Sequence, residues 1–265
     1  MPGHFSKWHG QAKTAVLWGM LSVSAGGALT LNSFTQGSQS APMSPLVTLQ
    51  AKGTVYDAAL DFAASWNAKR NPDGAWKYGW SGGLYGTLVL FPQAGVSPMD
   101  NRRQVGWNDP VVDVGYTPSV KLNAGSDDDD GNVSYLAGAL ILHGGGKDGR
   151  DYAHAIWTAP TSGRYSLNVV FEAQQYRINA DAHILVSAAG PALDTPVVIH
   201  LPGMPTRGAA VSVYDIVLTQ NRMTGNYTGN FTMAAGDTID FAVGQNDVFS
   251  LHPGAVSLSA VIQKR

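Results

Sequence analysis

The chain lacks cysteine altogether and contains a single glutamate, Glu172, among its 265 residues. The absence of cysteine excludes disulfides, thiolate zinc sites, iron–sulfur ligation and a cysteine nucleophile. With one glutamate there is no catalytic pair of glutamates, and surface helices lose most of their Glu–Lys pairing. Charged residues make up only 14% of the chain. A helical protein is therefore not expected.

Glycine and proline are abundant, with 31 and 14 residues, and hydrophobic residues reach 44%. This composition predicts frequent turns around a sizeable apolar core. The 17 basic and 19 acidic residues are unevenly spread, since residues 53–263 hold 12 basic and all 19 acidic ones. An acidic body argues against nucleic acid as a partner.

The N-terminal region carries an export signal. Lys7 and Lys13 precede an apolar run from Thr14 to Leu31, and no charged residue occurs between Thr14 and Ala51. A positive flank before an apolar run directs the following chain across a membrane. Two interpretations stay open, namely a signal peptide cleaved near Ala25 and an uncleaved signal-anchor. Both predict a periplasmic or extracytoplasmic location, and the second predicts an N-terminally anchored protein.

Three regions are expected along the chain. Residues 1–31 form the signal-anchor or signal peptide, residues 32–52 an extended polar linker or strap, and residues 53–265 a β-sandwich domain. Short apolar or alternating runs recur between turn signals, which is typical of antiparallel strands with one buried face. The fold predicted is all-β, an antiparallel two-sheet β-sandwich of jelly-roll type with an N-terminal hydrophobic segment.

The predicted strands share apolar alternation and flanking turn residues, and Ala58–Ala68 is the one segment of the body with a helical alternative. The strands are Val55–Phe62, Ala75–Trp80, Leu84–Phe91, Val111–Val114, Ala139–His143, Tyr152–Thr158, Arg164–Phe171, Ala182–Ser187, Val197–Leu201, Val211–Leu218, Asn230–Met233, Thr238–Val243 and Ala255–Ile262.

Four segments resemble a sandwich domain of exported bacterial proteins, of the kind found in PEP-CTERM-type proteins. They are YDAALDF from Tyr56, NPDGAWKYG from Asn71, WTAPTSGRY from Trp157 and AGDTIDFAVG from Ala235. The resemblance implies a jelly-roll fold similar to carbohydrate-binding domains. It specifies the fold better than the function, because the shared residues are turn glycines and core aromatics.

A sequence pattern typical of serine hydrolases is present, but its predicted structural context differs from that of a hydrolase. Gly79–Gly83 reads G-x-S-x-G around Ser81, and His143 precedes three glycines. A nucleophile elbow requires a strand–turn–helix, whereas Leu84–Phe91 is predicted to be a strand. The oxyanion-like motif also follows the serine instead of preceding it. The sequence therefore predicts that the protein is not an enzyme and has no catalytic or cofactor-binding residues.

An acidic loop is the best candidate for a metal site. Asp127, Asp128, Asp129 and Asp130 are consecutive, and calcium prefers several oxygens converging from one loop. A solvated acidic loop without metal is the alternative, so no cofactor is expected beyond a structural calcium. The five histidines of the body show no ligand spacing, although His154 and His183 alternate with apolar neighbours on predicted strands.

Aromatic residues concentrate in one stretch and could form a ligand or partner surface. They are Trp66, Trp76, Tyr78, Trp80, Tyr85 and Trp107.

Two functions remain, of which the sequence favours the first and keeps the second as the alternative. One is a non-catalytic, membrane-anchored structural subunit docking on the outer face of a membrane protein complex, for which a photosynthetic reaction-centre and antenna complex is one host. The other is a secreted or tethered carbohydrate-binding module, whose partner would be a glycan.

Overall fold

The structure is a computed structural model that describes residues 53–96, 104–110, 117–129, 134–145, 150–175, 178–188, 210–220, 223–245 and 254–265. These residues belong to one compact unit, Gln50–Arg265. The expected signal-anchor and strap fall on residues 1–52 and lie outside the described residues. Within the described ranges, no helix has the length and hydropathy needed to cross a membrane.

The described chain contains sixteen strands and one helix. They are β1 (Val55–Asp57), α1 (Ala58–Ala68), β2 (Trp76–Ser81), β3 (Val89–Leu90), β4 (Gln93–Val96), β5 (Gln104–Asn108), β6 (Ser119–Asn123), β7 (Asp128–Asp129), β8 (Ser134–Tyr135), β9 (Leu140–His143), β10 (Tyr152–Thr158), β11 (Gly163–Ala173), β12 (Asn179–Ser187), β13 (Val211–Thr219), β14 (Thr224–Met233), β15 (Thr238–Gly244) and β16 (Ala255–Lys264).

The strands form two main sheets. An eight-stranded sheet has the order β14-β11-β16-β9-β6-β5-β4, with β1 also paired to β16, and a six-stranded sheet has the order β13-β12-β15-β10-β2-β3. Strands β7 and β8 make a small separate ladder. Every strand pairing recorded between these elements is antiparallel. The predicted all-β, antiparallel two-sheet β-sandwich is confirmed.

The core lies between the two main sheets, because each strand alternates an apolar inner face with a more polar outer face. In β10, Ala153, Ala155 and Trp157 belong to the core. The Trp157 ring meets the Tyr165 ring from the facing sheet edge-on, with 5.0 Å between centroids. Such a pair stabilises the sandwich through both apolar burial and ring geometry.

The prediction of a strand over Val55–Phe62 is wrong beyond Asp57, where α1 begins. The Asp57 carboxylate accepts the backbone N–H groups of Ala59 and Leu60 at 3.0 and 3.1 Å and thereby caps the helix. An aspartate at this position followed by alanines favours a helix over a strand. The helix ends at Lys69, whose left-handed backbone (φ 54°) closes the last turn.

Other strand predictions differ in length or position. Leu84–Phe91 contains only the two-residue strand β3, because Gly82–Gly86 forms bends and turns. Strands β4, β5 and β6 were not predicted. The predicted strands Val111–Val114 and Val197–Leu201 lie outside the described residues. The remaining predicted strands overlap observed ones, and Tyr152–Thr158 coincides with β10.

Candidate functional site

Polar side chains are concentrated on the outer faces of both main sheets, away from the core. We call them the six-strand face, formed by β2, β10, β15, β12 and β13, and the eight-strand face, formed by β4, β5, β6 and β9. Many of these side chains are buried, including Ser81, His154, His183, Ser119 and Gln104. A buried polar group requires a hydrogen-bond partner, so the pairing on each face decides what that face can do.

The first network on the six-strand face joins Ser81, His154 and Asp240. His154 Nε2 lies 2.7 Å from Ser81 Oγ, and His154 Nδ1 lies 2.9 Å from Asp240 Oδ2. Strand register produces this arrangement, since His154 pairs with Gly79 on one side and with Ala242 on the other. Ser81 and Asp240 are then diagonal neighbours, within reach of an imidazole.

Strand β2, which carries Ser81, is fixed by the side chain of Asn71. Asn71 Nδ2 donates to the carbonyl oxygens of Tyr78 and Phe91 at 2.7 and 3.0 Å, and Asn71 Oδ1 accepts the Tyr78 N–H at 2.8 Å. One amide therefore holds β2 to the chain that follows β3. Ser81 is the last residue of β2 and stands at the entrance to the turn.

The second network on the six-strand face is centred on His183. Its Nε2 lies 2.9 Å from Asp181 Oδ2 and its Nδ1 lies 2.5 Å from Asp215 Oδ1. Tyr152 Oη donates to Asp181 Oδ2, and Ser212 Oγ donates to Asp215 Oδ1. Since a carboxylate only accepts, two carboxylates at the two ring nitrogens favour the doubly protonated imidazolium.

The pKa values follow this geometry. Burial alone would lower the pKa of His183, but the hydrogen bonds with Asp181 and Asp215 outweigh it and the pKa is raised. Burial would raise the pKa of Asp215, but hydrogen bonds from Ser212 and His183 dominate and the pKa is lowered. His183 thus bridges two carboxylates, and each carboxylate receives a further hydrogen bond.

Gly244 is required between the two networks. A Cβ at this position would lie 2.5 Å from the Tyr152 ring and 2.8 Å from Asp181 Oδ1. The glycine leaves room for Tyr152 to cross β15 and reach Asp181. Both networks on this face are therefore closed by side chains of the domain itself.

The eight-strand face carries a different set of groups. Gln93, Asn108, Ser119 and His143 are directly opposite one another across β4, β5, β6 and β9. Their inner-face neighbours, Ala94, Trp107, Val120 and Leu142, belong to or pack on the core. The polar row therefore points outward, on the opposite side from the core.

A second part of this face surrounds Gly106. Lys121 is paired with Gly106, and a Cβ on the glycine would come within 2.7 Å of Lys121 Cγ, so the lysine chain lies over it. Gln104 pairs with Asn123, whose amide donates to the carbonyls of Ser126 and Tyr135.

Two buried atoms on the eight-strand face have no hydrogen-bond partner among the described residues. They are Gln104 Nε2 and Ser119 Oγ, whose residues are only 2% and 0% exposed. An unpaired buried donor of this kind costs about 1–3 kcal/mol. Among the described residues, the eight-strand face thus retains two unpaired buried groups, whereas the two networks of the six-strand face are paired.

The predicted aromatic surface is dispersed. Trp76, Tyr78 and Trp107 are at most 3% exposed and lie in the core, where they cannot stack on a ligand. Trp66 and Trp80 are partly buried against the core. The sixth aromatic, Tyr85, is 65% exposed in the turn between β2 and β3. The apolar inner face of β2 and β5 explains why these rings are drawn inward.

The predicted metal loop is only partly described. Asp127 Oδ1 accepts the backbone N–H of Ala137 at 2.7 Å, Asp128 and Asp129 form β7, and Asp130 lies outside the described residues. In the part of the chain that the structure describes, no group of three or more His, Cys, Asp or Glu residues could hold a metal ion. The calcium site stays a prediction.

Sequence reasoning missed the residues of both networks as sets. The alternation of His154 and His183 with apolar neighbours places them on an outer face, but their partners come from other strands. Asp240 and Ser81 are 86 and 73 residues away from His154 along the chain. Gln104 and Ser119 were not singled out because β5 and β6 were not predicted.

Comparison with known proteins finds only distant structural matches. No family model matches the chain, and a search of the curated proteins finds no match. Among solved structures, a family 61 carbohydrate-binding module in complex with β-1,4-galactotriose is 12% identical, with a TM-score of 0.33, covering 62% of this chain and 88% of that one.

Two other solved structures give similar values. The N-terminal cellulose-binding domain of a Cellulomonas fimi β-1,4-glucanase is 16% identical, with a TM-score of 0.29, over 51% of this chain and 84% of that one. The K1 adhesin domain of Lys-gingipain from Porphyromonas gingivalis is 11% identical, with a TM-score of 0.28, and the match covers 81% of this chain and 99% of that one. The class that the fold itself defines is an antiparallel β-sandwich.

Proposed function

We propose that this β-sandwich is a carbohydrate-binding module whose ligand lies across β4, β5, β6 and β9 on the eight-strand face. One observation carries the proposal. Gln104 Nε2 and Ser119 Oγ are buried on that face and have no hydrogen-bond partner among the described residues. Both residues are almost fully covered, so a ligand would have to displace what covers them, and its hydrogen-bonding groups would then remove the cost of leaving them unpaired.

Sugar hydroxyls suit the chemistry of this face because each hydroxyl both donates and accepts. The amide of Gln104 donates and accepts, as does the hydroxyl of Ser119. The row from Gln93 to His143 crosses four strands spaced about 4.8 Å apart, so it extends over roughly 14 Å. That length fits a short stretch of a polysaccharide better than a single sugar.

Recognition would depend on hydrogen bonds more than on ring stacking. Of the aromatics predicted to form a ligand surface, Tyr85 alone is exposed by more than half, and it lies beside the six-stranded sheet. The ligand is therefore expected to be distinguished by the positions of its hydroxyls. Loss of one polar contact should be felt strongly.

The experiment is a glycan array probed with the full chain, followed by titration of the best oligosaccharide. Gln104→Leu and Ser119→Ala remove the two unpartnered groups without adding a larger side chain at the buried serine, and each should weaken binding about 10-fold or more. Asn168→Leu is the matched control, because Asn168 is an exposed residue of β11 in the same sheet. Absence of binding to any glycan, or equal affinity in all variants, would refute the proposal.

A structural subunit of an extracytoplasmic membrane complex is the second candidate. The observation that favours it is a group of exposed apolar side chains in and before β3, where Tyr85, Val89 and Leu90 are 65%, 41% and 38% exposed. Such side chains favour contact with another protein. Migration of the intact 28.0 kDa chain with a large complex on a native gel of solubilised membranes would support this role. A free monomer would oppose it.

A further inference from the structure

We propose that Ser81, His154 and Asp240 form a nucleophilic serine centre that cleaves carboxylic esters of small acyl groups. The centre lies on the six-strand face, so the inference does not depend on glycan binding by the eight-strand face. It goes beyond the prediction, made from the sequence, that the chain has no catalytic residues. That prediction considered residues close in sequence, whereas this centre is assembled by strand pairing.

The hydrogen bonds among Ser81, His154 and Asp240 determine which nitrogen of His154 carries the hydrogen. Asp240 can only accept, so His154 Nδ1, 2.9 Å away, carries the hydrogen between them. In the neutral imidazole, Nε2 then has a free lone pair directed at Ser81 Oγ, 2.7 Å away. This is the tautomer in which histidine acts as a general base toward a serine hydroxyl.

Three neighbouring strands hold these groups, with Ser81 on β2, His154 on β10 and Asp240 on β15. The ladders on both sides of β10 fix the spacing of the three backbones. His154 is only 3% exposed, so water competes little for its hydrogen bonds. A preorganised and dry arrangement of this kind is what nucleophilic catalysis requires.

Access to Ser81 is from the turn that follows it. Ser81 itself is 1% exposed, but the next two residues are Gly82 and Gly83. A Cβ built on Gly83 meets nothing within 4 Å, and one on Gly82 meets only Asp151 Oδ1, at 3.9 Å. An acyl group that approaches the hydroxyl from this side passes two residues without side chains, so we expect a small acyl group to be accepted and a bulky one to be disfavoured.

A second acceptor competes for the serine proton. The carbonyl oxygen of Gly83 lies 2.6 Å from Ser81 Oγ. The hydroxyl has one hydrogen, so it donates either to Gly83 or to His154 at a given moment. Rotation about the Cβ–Oγ bond is sufficient to direct the hydrogen to His154, and the reaction proceeds from that state.

The proposed reaction is a balanced hydrolysis with no further reactant than water. Ser81 Oγ forms a bond to the acyl carbon while its proton passes to His154 Nε2. The bond between the acyl carbon and the alkoxy oxygen then breaks, and the alcohol leaves with that proton. Water, deprotonated by His154, cleaves the acyl-serine in the same way and releases the carboxylic acid.

The second network on the same face provides an internal comparison. Ser212 also lies near a histidine and an aspartate, but its hydroxyl donates to Asp215 and not to an imidazole. Both nitrogens of His183 face carboxylates, so this histidine has no lone pair for a serine. Ser212 is therefore expected to be unreactive.

The test is covalent labelling of the full chain with a small dialkyl fluorophosphonate, with the modified residue located by peptide mass mapping. The reagent reports the nucleophile directly, since fluoride leaves as the serine–phosphorus bond forms. We expect labelling at Ser81, none after Ser81→Ala and unchanged labelling after Ser212→Ala. His154→Gln should slow labelling about 10²–10⁴-fold.

Asp240 acts through His154 and is a positioning residue. Asp240→Asn should slow labelling by a similar factor, because an amide at this position permits the opposite tautomer. A merely structural role would lower the melting temperature but leave the labelling rate of the folded protein unchanged. Turnover of 4-nitrophenyl acetate, measured with the same variants, should follow the same order.

Labelling of the wild-type chain tests the proposal even if a variant fails to fold. Labelling confined to Ser81 and dependent on His154 supports the proposal. Failure of the folded wild-type chain to react, or labelling of Ser81 at equal rates with and without His154, overturns it. Neither result bears on glycan binding, which is measured separately.

Discussion

The two outer faces of the sandwich differ in how their buried polar groups are hydrogen-bonded. On the six-strand face, His183 lies between Asp181 and Asp215, and both carboxylates receive further hydrogen bonds. On the eight-strand face, Gln104 and Ser119 have buried atoms with no partner among the described residues. Since unpaired buried groups are costly, a face that retains them is suited to an external partner.

The difference has a cause in the residue types. Aspartate and histidine on neighbouring strands are complementary in charge and in hydrogen bonding, so strand register can pair them completely. The polar row of the eight-strand face, from Gln93 to His143, offers two amides, one hydroxyl and one imidazole and no carboxylate, and Lys121 lies beside it. The experiments below are ordered by the size of the effect expected.

The largest loss of stability is expected from opening the closed network at Asp181. Asp181→Ala leaves both Tyr152 Oη and His183 Nε2 without their acceptor. We expect the free energy of unfolding, measured by urea denaturation, to fall by about 3 kcal/mol. Asn168→Ala, at an exposed position of β11, is the control and should stay within about 0.5 kcal/mol. An equal, small effect of both changes would contradict the picture of a closed network.

Each face carries a buried serine, so the same type of substitution, serine to alanine, can be compared on the two faces. Ser81→Ala removes a hydroxyl bonded to His154 and Gly83, whereas Ser119→Ala removes one without a partner. We expect a loss of about 1–2 kcal/mol for the first and a change near zero, or a gain, for the second. Denaturation curves measured side by side test this. The reverse order would show that the eight-strand face is the satisfied one.

A smaller effect is expected from pH. The raised pKa of His183 means that its contribution to stability is complete below the unfolded value, about 6.5, and is lost as pH rises through the folded value. The lowered pKa of Asp215 means that its contribution is present above about pH 4 and is lost as pH falls through the folded value. The network is therefore most stabilising between about pH 4 and 6.5.

The measurement is the free energy of unfolding between pH 4 and 9 for the wild type and for His183→Gln. The wild type should lose stability on the alkaline side of this range, and the variant should lose much less. Parallel curves for the two proteins would show that His183 does not carry the dependence.

Much of the fold could be predicted because alternation is a local property. Tyr152–Thr158 was recognisable from its apolar residues at every second position, and the structure has the same strand. β5 and β6 were missed although their residues alternate, because each strand has five residues and presents only two large apolar side chains, Val105 and Trp107 or Val120 and Leu122. For α1 the sequence left a strand over Val55–Phe62 and a helix over Ala58–Ala68 as alternatives, and the cap at Asp57 favours the helix.

The site was less accessible to sequence reasoning for a physical reason. Ser81 and Asp240 meet His154 only after β2, β10 and β15 have paired in one register. The orientation of Trp76 and Trp107 toward the core likewise depends on which face of their strands is buried. Side-chain type indicates what chemistry is available, and strand pairing decides which groups come together.

The central claim is that a glycan binds to the eight-strand face. Its most direct test is a ¹H–¹⁵N NMR titration with the oligosaccharide selected on the array. The side-chain amide of Gln104 would be assigned with Gln104→Leu, and the rings of His154 and His183 followed in the same samples. The account predicts that the resonances of the Gln104 amide shift as ligand is added, whereas the resonances of both histidine rings do not change. Shifts of the histidine rings with an unmoved Gln104 amide would contradict it and place the ligand on the six-strand face.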